Sequence, residues 1–212
     1  MVTCQPFTPV TRTPRLGVVN VPELQRQVEH KFAPEPLLAV QALANTYSLE
    51  DNEERLLDPA AARRWLIDSD LAEPDIEVGA EQLDRLLELR EAIRALIEAN
   101  LPATAGDAPE EGLRRILAAH PVELRVGTDG RLDVDLEPVA TVDAFIAQIA
   151  GIVFRAQLAE EWPRLKICAC DDCRWAFYDS SRNRGGTWCQ MEVCGNRVKN
   201  RSYRSRQSAP TK

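Results

Sequence analysis

Residues 166–201 read KICACDDCRWAFYDSSRNRGGTWCQMEVCGNRVKNR, and this stretch decides how the C-terminal end of the chain folds. The 212-residue chain has six cysteines, and five of them lie here, at positions 168, 170, 173, 189 and 194. The first thirty residues lack the continuous apolar stretch of a secretory signal peptide, so we expect the chain in the cytoplasm, where thiols stay reduced. Clustered cysteines in a reducing compartment indicate a metal site rather than disulfides.

The cysteine spacing favours a structural zinc site. Zn²⁺ binds four thiolate or imidazole ligands in a tetrahedron, and two cysteines a few residues apart on a tight turn supply one edge of it. Cys189 and Cys194 form the second pair, whereas the first is either Cys168 with Cys173 or Cys170 with Cys173. Spacing alone prefers the shorter pair. A disulfide, a redox dithiol and an iron–sulfur cluster are the alternatives, and one Zn²⁺ ion is the favoured interpretation.

Charge divides the chain into two unlike parts. The whole chain has 26 Lys and Arg against 33 Asp and Glu, a formal net charge of −7, yet residues 164–212 contain 11 basic against 4 acidic side chains. We therefore predict an irregular segment (1–34), an acidic helical body (35–163) and a basic, cysteine-rich finger (164–212). Because an acidic surface repels polyanions, contact with phosphate is expected only at the basic end.

Hydrophobic periodicity predicts a mainly α-helical fold with one small β-hairpin: a helical N-terminal body followed by a small C-terminal Cys4 zinc finger. Asp58-Pro59 provides an N-cap and a proline for the first helical position. Apolar residues at helical spacing predict further helices from about residues 36, 80, 109 and 141. Alternating residues around Asp129-Gly130 predict a hairpin within 123–136.

A few body residues carry expectations of their own. Trp65 is expected in the core, and a short strand is expected at Leu16–Val19. Asn45-Thr46 interrupts an apolar helix and is expected either to cap it or to line a small pocket. The two histidines, His30 and His120, are expected at the surface.

The finger carries a resemblance that is specific enough to name. Cys194-Gly195-Asn196-Arg197, followed by Lys199 and preceded by Trp188-Cys189-x-Met191, resembles the CGNR zinc finger. Bacterial members of that family typically carry an upstream helical ABATE domain and are described as putative stress-induced transcription regulators. The body is similar to that domain in Leu43-Ala44-Asn45-Thr46 and Leu56-Leu57-Asp58-Pro59.

The resemblance also implies a ligand set. The first pair in the family is usually C-x4-C, and matching Trp175 and Asp179 to its pattern makes Cys170 an extra thiol. The implied ligands are Cys168, Cys173, Cys189 and Cys194. One departure from the family is Gly185-Gly186-Thr187, which stands where arginines commonly precede the Trp-Cys pair.

The basic residues of the finger are the candidate nucleic-acid interface. If 194–206 is helical, Arg197, Arg201 and Arg204 lie on one stripe. Nearly opposite lie Lys199, Tyr203 and Arg206, and Val198 is the only clearly apolar residue. Such a helix docks on a polyanion, frays in solvent or binds an acidic protein, and nucleic-acid docking is favoured. The polar group 180–184 either contacts phosphate or is a flexible loop. The candidate residues are Arg182, Arg184, Asn196, Arg197, Lys199, Arg201 and Arg204.

These observations favour a DNA-binding transcription regulator whose body senses a small molecule, forms a homodimer, or both. The alternative is a zinc-stabilised protein–protein interaction module with no nucleic-acid binding. We expect no enzymatic activity, because no Gly-rich phosphate loop, G-x-S-x-G or H-E-x-x-H motif is present. We expect no membrane association, because no apolar run approaches the roughly twenty residues needed. Trp175, Phe177 and Trp188 are expected to form a mini-core, and Asp179 to accept a hydrogen bond within the finger.

Overall fold

A computed structural model of the chain describes residues 31–101, 110–122, 124–127, 130, 132–134 and 139–207. Cys4, His30 and the strand expected at Leu16–Val19 lie outside the described residues. The fold is mainly α-helical with small antiparallel strand pairs, as the sequence predicts. In the part of the chain that the structure describes, no helix is long and apolar enough to cross a membrane.

About half of the described residues lie in six α-helices. They are α1 (Leu37–Ala44), α2 (Pro59–Asp68), α3 (Ala80–Glu98), α4 (Glu110–Ala119), α5 (Val142–Leu158) and α6 (Asn196–Gln207). The first five correspond to the helices that periodicity predicts in the body. The sixth corresponds to the basic helix of the finger, which is preceded by a π-helical turn, Met191–Gly195.

Local sequence explains where two of these helices begin. The Asp58 carboxylate accepts a hydrogen bond from the backbone N–H of Ala61 at 2.7 Å, and Pro59 occupies the first position of α2. Thr141 caps α5 in the same way, its hydroxyl accepting from the backbone N–H of Ala144 at 3.2 Å. Such caps satisfy N–H groups that have no partner within the helix.

Among the described residues, the strands form three antiparallel pairs. They are β1 (Tyr47–Ser48) with β2 (Glu53–Glu54), β3 (Leu124–Val126) with β4 (Leu132–Val134), and β5 (Leu165–Ile167) with β6 (Ala176–Tyr178). The β3–β4 pair is the predicted hairpin. The other two pairs were not predicted. Strands β1 and β2 have only two residues each, and strands β5 and β6 are buried at every position and so show no alternation.

One cluster of buried side chains joins the body to the finger. Leu43 on α1, Ile93 on α3 and Phe145 on α5 are fully buried, and Phe177 on β6 belongs to the same cluster. Trp65 is buried as predicted, its ring edge-on to that of Phe145 with centroids 6.4 Å apart. The finger strands therefore share the hydrophobic core of the helices.

The expectation that His120 lies at the surface is wrong, because this side chain is only 8% exposed. Its Nδ1 lies 2.8 Å from the carbonyl oxygen of Ile116, and its Nε2 lies 3.2 Å from a carboxylate oxygen of Asp143. A polar ring with both nitrogens in hydrogen bonds can be buried at little cost. The Asp143 contact joins residues far apart in sequence, and no local pattern announces it.

Candidate metal centre

Short turns bring four cysteines of the finger to one place. Cys168 directly follows β5, and its backbone N–H donates to the carbonyl of Trp175 at 2.8 Å. Cys173 closes a turn in which its N–H donates to the carbonyl of Cys170 at 2.9 Å. Cys194 lies in the π-helical turn before α6. Each pair of thiols is therefore presented by tight backbone geometry, as structural zinc sites require.

The sulfur geometry fits one zinc ion. The four sulfur atoms all lie within 4.8 Å of one another and are buried, and they belong to Cys168, Cys173, Cys189 and Cys194. Two neighbouring pairs, Cys173 with Cys189 and Cys189 with Cys194, are each 3.6 Å apart. A tetrahedron with Zn–S bonds of about 2.3 Å has edges of roughly 3.8 Å, whereas a disulfide needs about 2.05 Å. The arrangement matches four ligands around a single ion and does not match a disulfide.

The fifth thiol of the finger, Cys170, is buried but is not part of this group of sulfurs. Of the two candidates for the first pair, the structure thus brings Cys168 and Cys173 to the other two cysteines. The longer spacing is the one that the family resemblance implies. Sequence spacing alone preferred the shorter one, because it carries no information on which way each sulfur is directed.

Crowding of the thiols sets their protonation. Hydrogen bonds from Cys173 and Cys189 hold the pKa of Cys168 far below its ordinary value, because they stabilise its thiolate. Hydrogen bonds with Cys168 and Cys173, together with burial, raise the pKa of Cys189. Without a cation, the close approach of the four sulfurs therefore opposes ionisation of Cys189. A divalent cation supplies the positive charge that lets all four sulfurs bind as thiolates.

Aromatic side chains form a mini-core beside the sulfurs, as predicted. Trp175 and Phe177 are buried, and Trp188 is half-buried against the same cluster. Gly195 is in close contact with this mini-core, since a Cβ there would lie 3.4 Å from the Trp188 ring and 2.5 Å from the Met191 sulfur. The Cys194-Gly195 step therefore has little room for a side chain.

A buried ion pair anchors residues 180–186, so the loop is not a free linker. Lys166 Nζ is 2.8 Å from the Asp179 carboxylate, with both side chains less than a tenth exposed, and it also donates to the carbonyls of Arg184 and Gly186. Asp179 accepts hydrogen bonds from the N–H groups of Ser181 and Gly186, as predicted for this residue. Burial would raise the pKa of Asp179, but the hydrogen bonds from Lys166 and the loop outweigh it and hold the pKa well below its usual range.

Gly186 explains part of the departure from the family pattern in this loop. A Cβ at this position would lie 2.8 Å from the Asp179 carboxyl group, closer than a side chain tolerates. Its neighbour Gly185 meets nothing nearer than 4.0 Å. The close approach of the loop backbone to Asp179 therefore requires glycine at 186 but not at 185.

The predicted nucleic-acid-binding residues fall into two groups. Arg197 is paired with Glu50 of the body at 2.6 Å, and Arg201 with Asp172 of the finger at 2.5 Å. By contrast, the exposed side chains of Arg182, Arg184 and Lys199 have no carboxylate within ion-pair distance among the described residues. Asn196 donates to the carbonyl of Glu192 at 2.9 Å, and Arg204 is exposed on α6.

Asn45 is the C-cap residue of α1, one of its two expected roles, but sequence reasoning missed that it also fastens the finger to the body. Its side-chain amide donates to the carbonyl of Ala176 at 2.8 Å and accepts from the N–H of Ala176 at 2.8 Å. Its side chain thus pairs with β6 as another strand would. Arg94 makes a second link, donating to the carbonyls of Ala44 and Arg174 at 2.7 and 2.9 Å.

Comparison with known proteins assigns both parts of the chain to families. Residues 38–161 match the family model named ABATE, described as "Putative stress-induced transcription regulator". Residues 164–207 match the model described as "CGNR zinc finger". No curated protein matches the chain. The second match coincides with the four buried cysteines, so the finger has its ligands placed to bind one zinc ion.

Proposed function

Because the chain belongs to the ABATE family of putative stress-induced transcription regulators and carries a CGNR zinc finger, we propose that it is a DNA-binding transcription regulator. The finger contacts the DNA, and the body carries the sensory or dimerisation function. The chain acts in the cytoplasm, and the proposal includes no catalytic step. We also propose that the helical body spans residues 35–163 and the finger residues 164–212.

In this proposal Cys168, Cys173, Cys189 and Cys194 hold one structural Zn²⁺. The ion supplies the charge that keeps four buried thiolates together. The π-helical turn and Gly195 then fix the start of α6 against the mini-core. The metal therefore positions the basic helix and has no part in chemistry.

The observation that carries DNA binding is the surplus of exposed positive charge on the finger. Residues 164–212 hold 11 basic against 4 acidic side chains, and a Cys4 zinc site contributes only about −2. The exposed cations include Arg182, Arg184 and Lys199, which form no ion pair with any carboxylate of the described residues. Arg197 and Arg201 pair with half-exposed carboxylates, and such surface ion pairs are worth about 0–1 kcal/mol. A phosphate can replace these partners at small cost.

A duplex DNA titration across salt concentrations tests the proposal. Each neutralised phosphate contributes about −0.9 to the slope of log affinity against log salt, so about five contacts give a slope of roughly −4 to −5. Lys199→Gln is expected to bring this slope about one unit closer to zero, since one phosphate contact is lost. Arg64→Gln is the matched control, because Arg64 is an exposed cation on α2 in the body. Absence of binding at low salt, or equal slopes in both variants, would overturn DNA binding.

The second candidate is a zinc-stabilised protein–protein interaction module with no nucleic-acid binding. It is supported by the finger contacting the body through ion pairs, Arg197 with Glu50 and Arg174 with Glu98. In that case the basic residues serve acidic protein surfaces, including the surface of this chain. The same titration separates the two candidates, because a protein module gives no salt-dependent DNA binding.

The proposed dimerisation role of the body is supported by its exposed hairpin. Leu124, Val126 and Leu132 are 57%, 70% and 67% exposed and share one face, since Val126 lies opposite Leu132. An apolar face of this kind is typical of a contact surface. Sedimentation of the zinc-loaded chain tests a homodimer, and Val126→Lys is expected to shift it towards the monomer. A monomer at all concentrations would remove this role.

A further inference from the structure

An open cleft lies where the body meets the finger, and none of the four clustered cysteines lines it. Its volume is about 460 Å³, between the β1–β2 hairpin, one face of α3 and the turn after Cys173. Sites for small molecules are typically about 300–1,000 Å³ and lie at such junctions. Its walls include Tyr47, Leu49, Arg90, Arg94, Ile167 and Arg174.

Two neighbouring arginines of α3 in this cleft are satisfied in different ways. Arg90 donates to both carboxylate oxygens of Glu54 at 2.7 Å and to Glu91 at 2.8 Å, so its charge is neutralised on the spot. Arg94 donates instead to two neutral carbonyls, those of Ala44 and Arg174. The Glu91 carboxylate stands 4.0 Å from Arg94 Nε, beyond hydrogen-bonding distance.

The Arg94 charge is therefore largely buried, and no described carboxylate is in hydrogen-bonding contact with it. Its side chain is only 15% exposed, and its ion pair with Glu91 is a long one at 4.0 Å. Burial lowers the pKa of Arg94, and this outweighs the opposing effect of the Glu91 and Glu98 carboxylates, while the positive charges of Arg174 and Arg90 also lower it. A ligand with a negative group at Arg94 would supply the missing partner, and charge-assisted hydrogen bonds of this kind are strong.

The remaining walls limit what the ligand can be. Leu49 is 41% exposed and Ile167 is buried, and together with the Tyr47 ring they offer apolar contact. Glu54, Glu91 and Glu98 also line the cleft and balance the charges of its arginines, so a dianion such as phosphate would leave a larger excess of negative charge there than a monoanion. One negative charge on a compact apolar group fits both features.

We propose that this cleft binds a small organic monocarboxylate, with the carboxylate on Arg94 and the apolar part against Leu49 and Ile167. Arg94 links the end of α1 to the turn that follows Cys173, so the ligand acts on the joint between body and finger. A regulatory role for this ligand rests on the proposed function. Binding of the ligand does not depend on the proposed function, and it is therefore measured without DNA.

Calorimetry on the zinc-loaded full chain tests the site with benzoate as the probe and benzamide as its neutral isostere. Benzoate is expected to bind saturably, and benzamide about tenfold more weakly or worse, because it lacks the charge. Equal affinity for the two, or no saturable benzoate binding, would overturn the proposal. Since DNA is absent, this result is separate from failure of the regulator function.

Variants locate the binding. Arg94→Gln is expected to weaken benzoate binding about tenfold or more, whereas Arg114→Gln, an exposed arginine on α4, leaves it unchanged. Because Arg94 also joins two segments of the chain, Leu49→Glu provides a second variant at an exposed position on the cleft wall. It places a negative charge beside the ligand and should also abolish binding. Benzoate affinity unchanged by Leu49→Glu would show that the ligand lies elsewhere.

Discussion

In the body, α1, α3 and α5 bury aliphatic side chains along faces that repeat at helical spacing, whereas the finger is built on two three-residue strands, a few buried aromatic side chains and a cluster of four cysteine sulfurs. Burial of apolar area, at about 25 cal/mol per Å², stabilises the body. The finger is too small to be stabilised by apolar burial alone, and it depends on metal ligands and a buried ion pair. The two regions nevertheless share one hydrophobic core. Unfolding of the finger is therefore expected to destabilise the body as well.

Removal of zinc is expected to have the largest effect. Structural zinc contributes about 10–16 kcal/mol of apparent binding free energy in small domains, so chelation should unfold the finger. Because Phe177 lies in the shared core and Asn45 pairs with β6, the melting temperature of the body should fall as well. Circular dichroism and thermal melting with and without chelator measure both effects.

The control for metal removal is the fifth thiol. Cys170→Ser is expected to keep one zinc per chain, while Cys173→Ser loses it, because only the latter belongs to the sulfur group. A chain that is metal-free yet ordered at residues 164–207 contradicts the comparison between the regions. Loss of zinc in Cys170→Ser contradicts the ligand set.

Breaking the contact between the regions comes next. Asn45→Ala leaves the N–H of Ala176 buried without a partner, at about 1–3 kcal/mol, whereas the Ala176 carbonyl keeps the hydrogen bond from the Gln41 amide at 3.1 Å. We expect a loss of about 2 kcal/mol in the free energy of unfolding, with zinc still bound. Denaturant unfolding measures it. Asn200→Ala, at an exposed position on α6, serves as control, and equal losses in both variants would argue against the contact.

The sequence predicts those features of the fold and the site that depend on local signals, and it does not predict contacts between residues far apart in the chain. Asp58-Pro59 marks the start of α2, and the clustered cysteine pairs mark a metal site, because each signal is local. The pairing of Asn45 with Ala176 is not predictable in this way, since it joins residues 131 positions apart. The β5–β6 pair was not predicted either, because its strands are buried on both faces and show no alternation.

The two glycines of the loop beside Asp179 allow a test within the finger, with an expected effect that is no larger. Gly186→Ala forces a methyl group to within 2.8 Å of the Asp179 carboxyl, whereas Gly185→Ala meets nothing nearer than 4.0 Å. Overpacking of this kind costs about 1–3 kcal/mol, so we expect a loss of about 2 kcal/mol for the first variant and little for the second. Thermal unfolding of the two zinc-loaded variants measures the difference. Equal stabilities would mean that the loop does not hold Asp179 as closely as the structure indicates.

The smallest expected effect concerns the charges that separate the regions. If the finger binds DNA, Glu50 of the body competes with phosphate for Arg197, to which it is paired at 2.6 Å. Glu50→Gln should then raise DNA affinity about two- to fivefold, the equivalent of a surface ion pair worth up to about 1 kcal/mol. Glu53→Gln removes the same charge from the same hairpin at an exposed position. An equal gain from both variants would assign the effect to net charge, and a gain from Glu50→Gln alone would assign it to the Arg197 contact.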